Sequence, residues 1–331
     1  MNPPKCDALD YIHFLVAAQK SFSCTEAARC QPDQEGAPAH DAFTRLLRRQ
    51  PPDTEALWQE TQGLIARDAG VLVLDDTTLD KPYARKMALV SRHWSGKHRR
   101  VVWGINLLTL LWSDGAARIP CDFRVYDKPQ SGKSKNDHFR DLLAVAGERR
   151  FAPEYVLFDS WYASLENLKR VGAYGWHWLT QLKGNRQVNP DGQGNVSLER
   201  VEIPEAGREV HLRGYGFIQV FRTVSKDGDV EHWATSNLDL SPERREVLAK
   251  EAWGIETYHR GLKQCCGVEK SAARKGEAQR NHILLSLQAF LRLEVHRLRT
   301  GVSWYEAKAA IVRDAVRQYL AHPSYLLAPT A

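Results

Sequence analysis

Two periods of apolar residues run through this chain. Val71-Leu72-Val73-Leu74 and Tyr155-Val156-Leu157-Phe158 are short unbroken apolar runs that stop abruptly at acidic residues. Runs of this length, bounded by polar residues, predict strands buried on both faces. Met87 to His93 and Val101 to Trp112 read as two more strands, with the basic stretch from Ser95 to Arg100 as the turn between them. Trp176 to Leu182 reads as another. From Gly184 to Asp239, Gly, Asn and Asp turns alternate with runs such as Gly216-Phe217-Ile218-Gln219-Val220, which predicts antiparallel strands.

Elsewhere the apolar spacing is helical. Asp10 to Lys20 repeats it at Ile12, Leu15 and Val16. Ser23 followed by Glu26 is a capping-box pattern. A loop from Gln31 to Pro38 leads to a basic helix, His40 to Arg49, which Pro51-Pro52 should stop. Asp137 to Arg149 and Ser164 to Val171 are helical. Ser241-Pro242-Glu243 opens a helix with an apolar stripe at Leu248, Ile255, Tyr258 and Leu262. The tail from Asn281 is helical, with Leu284, Leu287, Leu291 and Leu298 on one face.

Composition narrows the class. At 331 residues, with 43% hydrophobic and 26% charged residues, the chain is a globular protein of two or three domains. A net charge of +6 is compatible with nucleic acid without requiring it. The distribution says more: Arg92, His93, Lys97, His98, Arg99 and Arg100 crowd one turn, and Lys128, Lys133 and Lys135 mark a second loop. Cys6, Cys24, Cys30, Cys121, Cys265 and Cys266 form no pair of Cys-x-x-Cys motifs, which argues against zinc. The start lacks the apolar segment of a signal peptide, and no apolar run reaches the length of a membrane span. A cytoplasmic protein with reduced thiols is expected. The three N-terminal helices suit either a helix-turn-helix DNA module or a small helical cap on a catalytic domain.

Chemistry concentrates at three carboxylates. Asp76 and Asp159 each follow a predicted buried strand, where open α/β sheets usually keep their sites. Glu256 stands on the helix, and His259, Arg260 and Lys263 lie three, four and seven residues beyond it, on its own face. Hard oxygen ligands in this combination suit Mg²⁺ or Mn²⁺, and the cations suit phosphate. Asp75 is the alternative first ligand, turned to the opposite face of its strand by alternation.

These residues carry a resemblance. Asp76-Thr77-Thr78 after the first strand, and Glu256 with Lys263 seven residues on, are similar to bacterial insertion-sequence DDE transposases of the group with a β-stranded insertion between the second Asp and the Glu. In that group the Glu helix also carries a Tyr and an Arg, where this chain has Ala249 and Ala252. The resemblance covers roughly residues 70 to 300. It implies a ribonuclease-H-like α/β core with a mixed sheet, an antiparallel β insertion and helical N- and C-terminal regions. The expected divisions are 1–65 (helical, a candidate DNA-binding region), 66–184 (first part of the core), 185–240 (insertion), 241–268 (Glu helix) and 269–331 (helical).

The resemblance further implies cut-and-paste transposition: metal-dependent cleavage of element ends and strand transfer, with Asp76, Asp159 and Glu256 as catalytic metal ligands. Double-stranded DNA, both element ends and target, would be the partner, bound by at least a homodimer at the nucleoid, with no membrane. Lys263 would contact phosphate, joined by Arg260, His259, Lys97, Arg99 and Arg100. Hairpin-forming relatives stack a Trp of the insertion on a flipped base; Trp233 is a candidate for that role or a core aromatic. Two rival readings are a catalytically inactive DNA-binding derivative, favoured by Ala249 and Ala252, and a structure-selective nuclease of the same fold.

Overall fold

The computed structural model describes residues 4–32, 35–49, 53–84, 86–96, 98–225 and 228–323. Lys97, and the Pro51-Pro52 pair expected to end the third helix, lie outside the described residues. Two compact units emerge. Thr54–Pro82 and Leu89–Tyr258 form a sheet unit; the remaining described residues form a helical unit. No helix among the described residues is long and apolar enough to cross a membrane.

The helical unit begins with α1 (Ala8–Ala17), α2 (Cys24–Arg29) and α3 (His40–Arg49). Asp7 and Asp10 close a capping box on α1, and the Ser23 hydroxyl accepts the Glu26 amide to start α2.

The sheet unit opens with α4 (Glu55–Thr61), followed by β1 (Val71–Asp80), β2 (Ser91–Ser95), β3 (Arg100–Ser113) and β4 (Arg118–Val125). A short α5 (Lys128–Ser131) precedes α6 (Lys135–Glu148), which Ser134 and Asp137 cap reciprocally. Then come β5 (Tyr155–Phe158), α7 (Leu165–Ala173) and β6 (His177–Leu182). β1 pairs antiparallel with β3 and parallel with β5, which is parallel to β6; β4 pairs with β3. The order β4-β3-β1-β5-β6 is the ribonuclease-H-like arrangement. Its third strand is therefore β4, which the apolar pattern does not reveal. Pro120, a register shift between Leu110 and Leu111, and the buried Asp122, neutralised by Arg124 at 2.6 Å, all interrupt the alternation. β2 is an added strand that pairs with the start of β3. It begins later than Met87, after a turn in which Leu89 takes a left-handed φ of 69°.

The region after β6 supplies β7 (Gln187–Asn189), β8 (Val196–Ser197), β9 (Arg208–Leu212), β10 (Gly216–Val224) and β11 (Val230–Thr235), all antiparallel. They form no separate layer. β11 pairs with β6, so the insertion extends the core into one sheet of 11 strands.

Three long helices finish the chain: α8 (Pro242–Cys266), α9 (Gly276–Thr300) and α10 (Trp304–Ala321). The Ser241 hydroxyl accepts the Arg244 amide at the head of α8. In the helical unit α9 is buried on nearly every side, with Leu284, Leu287 and Leu291 inside, whereas Leu298 is exposed beyond the covered stretch. α1 and α3 pack on α9. Tyr11 Oη meets His282 Nδ1 at 3.0 Å, Asn281 donates to the Leu47 carbonyl, and Lys308 donates to the carbonyls of Val16 and Cys265. The N-terminal helices are thus built into a unit with the C-terminal ones.

Candidate active site

Strand register decides which side chains share a face. Leu74 lies opposite Phe158, and Phe158 opposite Thr180, in parallel pairs. One residue further along, Asp75, Asp159 and Gln181 form a lateral row on a single face. β11 prolongs it, because Trp233 pairs with Gln181. These four residues line a cleft of about 440 Å³ whose other wall is α8, through Ala249, Ala252, Trp253, Ile255 and Glu256. Helical periodicity brings positions 249, 252, 253 and 256 to one side of α8. The two alanines that replace the Tyr and Arg of the signature are therefore both on the cleft wall.

Asp76 alternates away from this row. Its carboxylate accepts hydrogen bonds from Asn106 Nδ2 at 2.5 Å, Lys135 Nζ at 2.7 Å and the Tyr162 hydroxyl. It is not among the residues lining the cleft. The sequence expectation grouped Asp76 with Asp159 and Glu256; the structure brings Asp75 to them instead, because Asp75 and Asp159 share a register row. Asp159 also caps the short turn that follows it, its carboxylate accepting the Ser160 amide. Tyr162 ends that turn, buried, with its ring stacked on Phe139 at 5.2 Å. A chain of contacts through the buried Tyr162 thus joins Asp76 to the turn that presents Asp159.

The two neighbouring aspartates have opposite electrostatics. Burial, then the carboxylates of Asp76, Asp159 and Glu256, push the Asp75 pKa well above the usual range. Burial works on Asp76 as well, but the Lys135 charge and the hydrogen bonds from Asn106, Lys135 and Tyr162 prevail and hold it below. Burial, then Asp76, raises the Tyr162 hydroxyl far above its usual value, so it stays protonated and donates. Protein groups compensate the charge of Asp76 and leave that of Asp75 uncompensated.

The cleft is lined by the carboxylates of Asp75, Asp159 and Glu256, with Glu231 taken up by Trp233, and hard oxygen donors of this class suit a divalent cation. Among the described residues no three acidic, His or Cys side chains already converge as ligands. Asp159 and Glu256 are both exposed, so their side chains have room to turn inward.

The remaining predicted positions divide. Trp233 is half-buried at the cleft, its Nε1 donating to Glu231 Oε2 at 3.0 Å. It belongs to the cleft wall and not to the core. His259 is buried, one turn beyond Ile255 on the apolar stripe. Arg260 is exposed, and Lys263 is half-buried with its Nζ 4.0 Å from Glu269. Arg99 and Arg100 are exposed at the β2–β3 turn. Gln181, Glu231 and Trp253 were not legible as cleft residues, since only strand register and helix placement bring them there. For Tyr162 a signal existed: it stands three residues after Asp159.

Residues 66–291 match the sequence profile of the family described as Transposase DDE domain, a span that holds every carboxylate of the cleft. The chain belongs to the DDE transposase family. Such transposases cut DNA and transfer strands, and they use divalent metal ions. The transposase also shares its fold with a piggyBac transposase, solved by cryo-EM as a synaptic complex with hairpin DNA: TM-score 0.51, 10% identity, covering 98% of this chain and 74% of that one. No curated protein sequence matches the transposase.

Proposed function

We propose that this transposase excises a mobile DNA element by cutting its ends and joins the freed 3′-ends to target DNA, with Asp75, Asp159 and Glu256 as the ligands for Mg²⁺ (or Mn²⁺). The observation that carries the assignment is the lateral row Asp75–Asp159–Gln181–Trp233 facing Glu256 across one cleft. Asp76 takes another part. It holds Lys135 and Tyr162, and through Tyr162 it fixes the turn that carries Asp159.

Divalent ions bound here would lower the pKa of an attacking water or 3′-hydroxyl and steady the leaving oxygen. The protein supplies position. Asp75 is held by the strand ladder, Asp159 by its turn, and Glu256 by α8. Because the nucleophile alone changes between hydrolysis and strand transfer, one set of ligands serves both steps. Lys263, Arg260, Arg99 and Arg100 would grip phosphates; the burial of His259 gives no support to a DNA contact there. Trp233 would stack on a base displaced beside the cut, which favours a hairpin route. The piggyBac relative was solved with hairpin DNA. Two ends must be held together, so at least a homodimer on DNA in the cytoplasm, at the nucleoid, completes the reading.

The test uses purified transposase with DNA carrying the flanking element ends, in Mg²⁺ and in EDTA. Metal-dependent cuts at the ends are expected from wild type. Asp75→Asn and Asp159→Asn should bind the ends and fail to cut, whereas Asp76→Asn should cut about 10- to 100-fold more slowly, the usual effect of losing a group that supports a ligand. Inactive Asp76→Asn beside fully active Asp75→Asn would return the ligand role to Asp76. End binding without cutting in every sample would mark a DNA-binding derivative.

A further inference from the structure

The β2–β3 hairpin presents an exposed aromatic face. Arg92 pairs with Trp103 and Trp94 with Val101, so alternation puts these four side chains on one side. Trp94 is 66% exposed, Trp103 51% and Val101 51%, and Arg92 is exposed beside them. The opposite side is ordinary interior: His93 and Ser95 are buried. A single surface Trp needs no explanation, but two with a Val in one contiguous patch do.

Exposed cations border the patch. The Arg92 guanidinium lies 6.0 Å from the Trp103 ring centroid, a cation–π distance. Arg99 and Arg100 are exposed at the turn. Asp80 is bonded to His98 of the turn at 2.8 Å. Arg99 keeps φ at 47°, a conformation that Gly or Asn adopts at lower cost, so the turn bears strain while carrying a cation at its tip. π-faces flanked by exposed cations match a polyanion that also offers flat apolar surfaces. Unpaired nucleotides have that chemistry; a plain apolar protein face does not use the arginines, and a closed duplex does not use the rings.

We propose that Trp94 and Trp103 form a stacking platform for unpaired bases, with Arg92, Arg99 and Arg100 on the adjoining phosphates. The platform is separate from the cleft: β2 and β3 lie on one side of β1, and β11 with Trp233 on the other. It rests on the DNA-cutting reading and adds to it a preference for DNA whose strands have already parted.

The experiment is equilibrium binding in EDTA, so that no cutting intervenes. Wild type and the Trp94→Ala/Trp103→Ala double variant are titrated with an end duplex and with the same duplex carrying an internal mismatched bubble. Wild type should prefer the bubble by about fivefold or more per stacked base. The double variant should lose that preference, bind the paired duplex as wild type does, and melt at the wild-type temperature, since both rings are exposed. Arg99→Ala should weaken both ligands and lower the salt slope by about one. A wild type that cuts ends but shows no bubble preference, or a double variant that keeps it, overturns the platform and leaves the cleft assignment standing. A double variant that keeps the preference but sediments as a smaller species overturns it in favour of a subunit contact. A wild type that binds neither DNA overturns the cutting reading itself.

Discussion

Asp75 and Asp76 are adjacent, identical in chemistry and opposite in circumstance. One faces carboxylates; the other faces Lys135, Asn106 and Tyr162. The Tyr162 hydroxyl ties Asp76 to the turn that presents Asp159. Tyr162→Phe keeps the Phe139 stack and removes one donor from a half-buried carboxylate, which should cost about 1–3 kcal/mol of stability. Urea unfolding measures it, and an equal loss of stability without slower cutting would show that the tie is structural alone. His93 offers a pH test. Burial first, then the Lys135 charge, lower its pKa to about 4, and its Nε2 meets the Ser91 hydroxyl at 2.8 Å. The folded state therefore holds the ring neutral, while an unfolded His takes a proton near 6.5. Stability from this group is complete above about 6.5 and is lost as pH falls toward 4. His93→Gln should flatten that part of the stability profile in urea titrations at successive pH values.

Among the elements, α8 carries the departure from the family signature. Ala249 and Ala252 face the cleft, where the signature places a Tyr and an Arg. Ala252→Arg adds one cation at a wall with space to receive it. It should tighten binding to element ends and steepen the salt dependence by about one counterion, read from affinities at several salt concentrations. An unchanged slope would mean that DNA does not reach this wall. Elements of this kind were largely legible in the sequence. The runs at 71–74 and 155–158, the 3.6 period of α8 and the turns of the insertion all follow from local pattern. β4 did not, because its Pro120 and buried Asp122 look like loop chemistry until Arg124 and the bulge are in place. Nor did the choice between Asp75 and Asp76. Alternation yields two faces, and only pairing with β5 says which one meets Asp159.

At the scale of the whole molecule, the sheet unit gathers the cleft carboxylates and the helical unit ties together the two ends of the sequence. Mutual repulsion of the cleft carboxylates is relieved by a bound divalent ion, so Mg²⁺ should stabilise the fold by mass action, about 2.7 kcal/mol at a hundredfold excess over its dissociation constant. A thermal melt with and without Mg²⁺ should show the wild-type transition rising by a few degrees, and the rise should vanish in Asp75→Asn. A rise that persists there would place the binding elsewhere. Sequence alone separated the chain's first 65 residues from its last 63; packing of α1 and α3 on α9 joins them, a contact between segments too distant for any local pattern to reveal.

The row that runs from Asp75 to Trp233 has one further consequence, a rule of parity. Trp233 reaches the cleft by pairing with Gln181 in an unbroken antiparallel ladder. A strand has only two faces, so a slip of one residue in β11 would send Trp233 to the far side and bring His232 or Ala234 in its place. A slip of two would restore an inward face with a different residue. Turns between β7 and β10 can lengthen freely, but inside this ladder the chain can change only in even steps.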